Sequence, residues 1–335
     1  MYESETSLRD PLALPKAHLH LHLEGSARPS TIEEFAARAG VTYRVPTSFT
    51  SFSEFNDAYL TMLEFITEPD DIVRICRELV EDDASQGVQY TEPEFVPAFF
   101  AERFGMTETE VYKLMRDAFV RAGKEHGVEV GCMIAGIWTH PIEMVEAAAR
   151  FAAANAGNGV VAFGLAGIEP QGGYGQWLRS CDIARDGGLL VVPHAGEFGP
   201  AANVAEAMDV LRGDRVPHGV RAIEDPAVVA RLAERGMVCD VALTSNVMLG
   251  VFSDLASHPL PQLLAAGVPI TINADDSLFF GSLVGEEYVV ARDAFGLSDE
   301  QLAAIARTSA NASGASPETR ARIHAGIDAW LASPQ

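Results

Sequence analysis

Eight times along this chain a short apolar, β-branched run alternates with a helical pattern, and few folds satisfy that rhythm. The runs lie near 17–23, 88–95, 128–134, 160–165, 189–194, 215–219, 237–243 and 268–273. Strands separated by helices cannot pair through tight turns; they lie parallel, and each helix crosses back over the sheet. Gly87, Gly127, Gly188, Gly236 and Gly267 each stand directly before a run, where a left-handed helix C-cap costs glycine least. Eight such units predict an α/β chain folded as one (β/α)8 TIM barrel spanning 1–335. Its 335 residues, 48% hydrophobic, suffice for a core of that size. The segment 46–67 is longer than the crossover after the first strand needs. Phe52, Phe55, Tyr59 and Leu63 recur in it at helical spacing, as a lid over the barrel mouth or as an apolar cap on its flank.

Charge and cysteine usage exclude several classes of partner. Asp and Glu number 47 against 24 Lys and Arg, a formal net charge of -23, which repels nucleic acid and anionic lipid alike. Cys76, Cys132, Cys181 and Cys239 lack C-x-x-C spacing, so neither a cysteine metal site nor a disulfide framework is expected. Residues 1–12 contain no apolar signal region, and no stretch reaches the roughly 18 apolar residues of a membrane span. A cytoplasmic protein acting on a small molecule is expected.

The chemistry gathers at strand ends. His20, His22, His194, His218, Asp275 and Asp276 fall within or at the C-terminal ends of four runs, and in a (β/α)8 barrel those ends converge on the mouth where active sites form. His20 and His22 form an H-x-H pair whose two-residue period turns both imidazoles to one face, within reach of a single ion, and His18 extends that face. A third histidine and an aspartate complete a ligand set that leaves room for a water, as catalytic zinc requires. His126, His140, His258 and His324 fall outside these runs and are expected at the surface. No G-x-G-x-x-G or G-x-x-x-x-G-K-[ST] follows a strand, which leaves nicotinamide and ATP chemistry without a fingerprint.

Leu14-Pro15-Lys16, His18-Leu19-His20-Leu21-His22-Leu23-Glu24-Gly25, His194-Ala195-Gly196-Glu197, His218-Gly219, Thr244-Ser245-Asn246 and Asn273-Ala274-Asp275-Asp276 resemble, in this order, the motifs of adenosine and adenine deaminases. That resemblance spans nearly the whole chain. It implies hydrolytic removal of the 6-amino group of a purine with one Zn2+ per chain, bound by His20, His22, His194 and Asp275 with a water completing the shell. It further implies that Glu197 protonates purine N1 and that His218 orients or deprotonates the water. Asp276 would bond N7, and the Gly167 backbone N–H would face N3. Ser245 and Asn246 are expected only to order the loop after the seventh strand.

The substrate is not settled by the motifs. Adenosine enzymes of the family carry Asp two residues after the second metal histidine, to hold a ribose hydroxyl, whereas this chain has Glu24. A carboxylate one methylene longer fills sugar space and favours adenine, and the segments 250–254 and Phe279-Phe280-Gly281 also resemble adenine deaminases. The segment 164–169 instead resembles the adenosine enzymes. Adenosine, a modified adenine or another adenine nucleoside is the alternative substrate, and a catalytically silent zinc barrel the alternative class. Asp240-Val241-Ala242-Leu243 stands where the family commonly has Cys-Pro, which puts the conformation of the following loop in question. The cysteine-based zinc deaminases are excluded because no P-C-x-x-C accompanies His22-Leu23-Glu24.

Overall fold

In a computed structural model, which describes residues 9–333, the alternation becomes a ring of parallel strands with helices outside. Most of the polar segment 1–12 lies outside the described residues. Ten strands occupy eight barrel positions: β1 (Lys16–His18), β2 (Val88–Thr91), β3 (Glu94–Phe95), β4 (Glu129–Val130), β5 (Cys132–Ile137), β6 (Val160–Ala166), β7 (Leu190–Pro193), β8 (Arg215–Pro217), β9 (Val238–Val241) and β10 (Ile270–Ile272). Three hydrogen-bonded groups, β1-β2-β4, β3-β5-β6-β7 and β10-β9-β8, make up the wall. Single bridges join the groups, Ala195 to His218 between β7 and β8 and Leu21 to Asp275 across the closing seam. Among the described residues no helix is long and apolar enough to cross a membrane.

Two runs read as single strands are each broken in two. Pro93 lacks an N–H and parts β2 from β3, after which Glu94 N–H donates to Leu21 O at 2.9 Å and resumes the wall. At Gly131 the chain steps from β4 to β5, where a Cβ would lie 2.2 Å from the Tyr90 hydroxyl. The first run is also shorter than its sequence suggests. Regular β1 stops at His18, because Asn273 Oδ1 accepts from both Leu19 N–H (2.9 Å) and His20 N–H (3.1 Å), replacing a strand partner with a side chain. His20 and His22 therefore lie just beyond β1, and their shared direction comes from this bend and the seam rather than from pleat alone.

Segment 46–67 forms the helix Phe52–Leu63, capped by the Ser51 hydroxyl accepting from Glu54 N–H. Phe55 stacks on Phe280 with ring centroids 5.4 Å apart, and Phe52 packs on Phe198 at 4.9 Å. Those partners belong to segments that follow β10 and β7, so the helix lies over the mouth, not on the flank.

Candidate active site at the barrel mouth

Three histidines meet one aspartate where the strands end. His20 Nε2 and His22 Nε2 each lie 3.4 Å from Asp275 Oδ1, and the His194 ring centroid is 5.0 Å from that of His20 and 5.4 Å from that of His22. Ligand atoms of His20, His22 and Asp275 fall within 4.8 Å of one another, as do those of His20, His194 and His218. Second contacts fix two of the rings. His20 Nδ1 meets Asp240 O at 2.9 Å and His194 Nδ1 meets Leu165 O at 2.9 Å. A carbonyl can only accept, so both Nδ1 atoms carry hydrogen, and in the neutral form of each ring Nε2 presents a lone pair. Those Nε2 atoms are buried without a protein partner. Bare imidazole nitrogens converging with a carboxylate are the donor set of a divalent transition metal, and the Nδ1 bonds are the outer contacts such ligands use. Burial raises the Asp275 carboxyl, but His20 and His22 outweigh it and hold the group well below its usual range.

His18 is not part of this set. Its Nδ1 pairs with Asp83 at 2.9 Å and its Nε2 accepts from Ala274 N–H at 3.1 Å, turning the ring from the mouth to brace the backbone before Asp275. His218 and Asp275 both have left-handed backbones, with φ of 61° and 59°. Side chains other than glycine's enter that region at a cost of about 1–2 kcal/mol, strain that concentrates at functional positions.

Glu197 sits on a loop held by another acid. Glu169 accepts from the backbone N–H groups of Gly196, Glu197, Phe198 and Gly199, at 2.8 to 3.2 Å, and from Asn203 Nδ2 at 2.8 Å. The Glu197 side chain is left facing His218, with Oε2 3.5 Å from Nε2. Burial, then repulsion from Asp275 and Glu169, pushes the Glu197 carboxyl well above its usual range, toward its protonated form. Burial and the neighbouring His20 push His218 down to about 3, so its ring is neutral.

A cavity of about 280 Å3 opens beside these groups, lined among others by Glu24, Tyr59, Gly167, Glu197 and Asp276. Burial raises the Glu24 carboxyl to about 7, against the Tyr59 hydroxyl that donates to Oε2 at 3.1 Å; Oε1 has no partner. Burial likewise lifts Asp276 well above its usual range, and its Oδ1 is also without a partner. A Cβ on Gly25 would lie 1.6 Å from Asp276 Oδ1, so glycine is required there. Among the described residues, neither lysine nor arginine lines it.

The sequence-predicted residues His20, His22, Glu24, Gly167, His194, Glu197, His218, Asp275 and Asp276 thus all gather at the mouth. Further residues take part beyond these nine. Glu94 is 1% exposed, with Oε2 3.5 Å from His22 Nδ1, and it ends a strand run by the same criterion that selected His194. Gly164 makes room for it, since a Cβ there would lie 1.9 Å from Glu94 Oε1. Ser245 Oγ donates to Asp275 Oδ2 at 2.7 Å, and Asn246 Nδ2 lies 3.0 Å from His218 Nδ1, so both reach the site instead of only ordering a loop. His258, expected at the surface, is fully buried behind Asn246.

The adenosine deaminase family model matches residues 15–330. The chain belongs to the adenosine deaminase family. A Streptomyces coelicolor protein named for adenosine or adenine deamination is 37% identical over 342 residues, covering 97% of this chain and 98% of the relative. An adenine deaminase of Chelativorans sp. is 37% identical over 320 residues, covering 93% and 97%. The crystal structure of adenine deaminase from Arthrobacter aurescens superposes with a TM-score of 0.88 at 27% identity, over 96% of this chain and all of that one. Within this family the chain is a metal-compatible hydrolytic deaminase of adenine-like purines.

Proposed function

We propose that the protein is a zinc-dependent adenine deaminase, converting adenine and water to hypoxanthine and ammonia, with one zinc held by His20, His22, His194 and Asp275. The observation that carries the reading is that His20 Nε2 and His22 Nε2 each lie 3.4 Å from Asp275 Oδ1, with the bare, buried Nε2 of His194 on a neighbouring ring and the Glu197 carboxyl, pushed well above its usual range, at the same mouth. Bound zinc would lower the pKa of a water to about 7 and make hydroxide available at neutral pH. The chain's own groups prepare the purine. Protonated Glu197 delivers its proton to ring N1, which makes C6 electrophilic. Asp276, pushed toward its neutral form by burial, donates to N7, and the Gly167 N–H meets N3. His218, facing Glu197, orients the attacking water.

Glu24 supports the free base. Its Oε1 is buried without a partner, and adenine offers an N9–H there, whereas in a nucleoside N9 carries a sugar. A lining without lysine or arginine also disfavours phosphorylated substrates. The test compares kcat/KM for adenine, adenosine, deoxyadenosine and N6-substituted adenines, a ratio that reports differential transition-state binding. Adenine is expected to be preferred, and Glu24→Asp to narrow the gap. A tenfold preference for adenosine, about 1.4 kcal/mol, overturns the role of Glu24 and leaves the zinc chemistry standing.

A further inference from the structure

Three histidine rings at the mouth make a hydrogen bond through Nδ1, and one of them is wired in the opposite sense. His20 and His194 donate from Nδ1 to carbonyls and present bare Nε2 atoms. For His218 the Nδ1 partner is the side-chain amide of Asn246, at 3.0 Å, which could by itself be turned either way. A chain of contacts removes that freedom. Leu260 N–H donates to His258 Nδ1 at 3.2 Å, and a backbone N–H can do nothing else. His258 Nδ1 is therefore an acceptor, and the proton of its neutral ring is on Nε2. Nε2 lies 3.1 Å from Asn246 Oδ1, so the amide turns its oxygen to His258 and its NH2 to His218. His218 Nδ1 must accept, and its proton is on Nε2.

The relay is buried along its length. His258 and Asn246 are fully buried, and Phe252 packs edge-on against the His258 ring at 5.1 Å. Asn246 lies in the helix Leu243–Met248, whose first N–H groups are held by Glu287 Oε2, at 2.9 Å from Leu243 N and 3.1 Å from Thr244 N. At its far end His218 Nε2 faces Glu197 Oε2 at 3.5 Å and Asp275 Oδ2 at 4.0 Å.

We propose that Asn246 and His258 are positioning residues that lock His218 in its Nε2–H tautomer, so that His218 enters the reaction as a hydrogen-bond donor to the attacking oxygen and not as its proton acceptor. The proposal rests on the deaminase reading for its consequence and on the contact chain alone for the tautomer. Asn246→Asp is the sharpest probe. It preserves shape, but a carboxylate accepts from both neighbours and moves the His218 proton to Nδ1. With 15N-labelled histidine, long-range 1H–15N correlation spectra should show His218 protonated at Nε2 in the unmodified protein and at Nδ1 in the Asn246→Asp variant. In that variant kcat should fall about 10–100-fold, the range typical of outer contacts, with KM and zinc content nearly unchanged. His258→Leu should also lose turnover, and His258→Gln, which restores a donor to Asn246, should recover it. His218 protonated at Nδ1 in the unmodified protein overturns the proposal, as does full kcat in Asn246→Asp with the tautomer inverted. Should the unmodified protein deaminate no aminopurine, the deaminase reading fails, and the spectra still decide the tautomer.

Discussion

The barrel interior holds two clusters of buried charge, one layer apart, and they are finished in opposite ways. Toward the strand starts, Arg215 donates from Nε to Asp240 Oδ2 at 2.9 Å and from Nη2 to Glu92 Oε2 at 2.6 Å, and its Nη1 reaches Ala312 O at 3.0 Å. The remaining carboxylate oxygens are filled by Thr271, by Tyr90 and by Gly314 N–H. At the mouth, Glu24, Glu94, Glu197, Asp275 and Asp276 crowd together with no lysine or arginine in the cavity lining. Atoms of His20, Glu24, Glu94, His194 and Asp276 are left without protein partners. Folding completes the lower cluster by itself. The upper one is arranged so that a cation and a polar ligand complete it, which is how a chain gives up stability for function.

The largest expected effect comes from withholding what the upper cluster lacks. His20→Ala, His22→Ala and Asp275→Ala should each reduce zinc from about one per chain to near none and abolish deamination, since an incomplete shell neither holds the ion nor balances the acids. Elemental analysis beside a spectrophotometric assay checks this. Chelation of the unmodified protein should lower its Tm, because an ion bound only by the folded state stabilises it. Full activity in any of the three variants would remove the contrast between the clusters.

The second test strikes the lower cluster. Arg215→Met leaves Glu92 and Asp240 buried without their cation, and breaking such a pair costs about 3–5 kcal/mol. Urea unfolding should show that loss, while kcat of the folded fraction stays close to the parent value, since Arg215 does not line the substrate cavity. A stable Arg215→Met protein with damaged turnover would mean that the lower cluster belongs to the site.

How much of this could be read from residues follows from the range of the interaction involved. The helix-glycine-strand rhythm is local, and it gave the eight barrel positions although Pro93 and Gly131 split two of them. His20, His22, His194, Glu197, Asp275 and Asp276 were legible because their motifs sit at strand ends, and barrel geometry brings strand ends together whatever the loops do. Glu94 meets the same rule, standing at the end of the run 88–95. His18 departs from the period-two expectation because that reasoning assumes a regular strand, and Asn273 ends that regularity from 254 residues away. The loop placed in question by Asp240-Val241 proved to be the end of β9 leading into the helix Leu243–Met248, with Asp240 serving as a partner of Arg215. Neither the burial of His258 nor its contact with Asn246 leaves a periodic trace. Both depend on how the stretch after that helix folds beneath Phe252.

The smallest effect is the most direct comparison, because it makes an upper-cluster residue resemble the satisfied lower ones. Asp276→Asn keeps the side-chain shape, removes a carboxyl that burial, Asp275 and Glu24 all push toward its neutral form, and adds an NH2 donor. In zinc-depleted protein the variant should be more stable than its parent by on the order of 1 kcal/mol, the usual gain when a functional group is replaced by one chosen only for folding. Turnover should fall by about tenfold, and not vanish, because an amide can still donate to N7 where the protonated carboxyl did. Thermal unfolding of both zinc-depleted proteins, followed by kcat/KM for adenine in the zinc-loaded forms, measures the two sides together. If Asp276→Asn is instead less stable than its parent without zinc, then Asp276 is already paid for by its surroundings, as Asp240 is by Arg215, and the boundary between the two clusters lies above it.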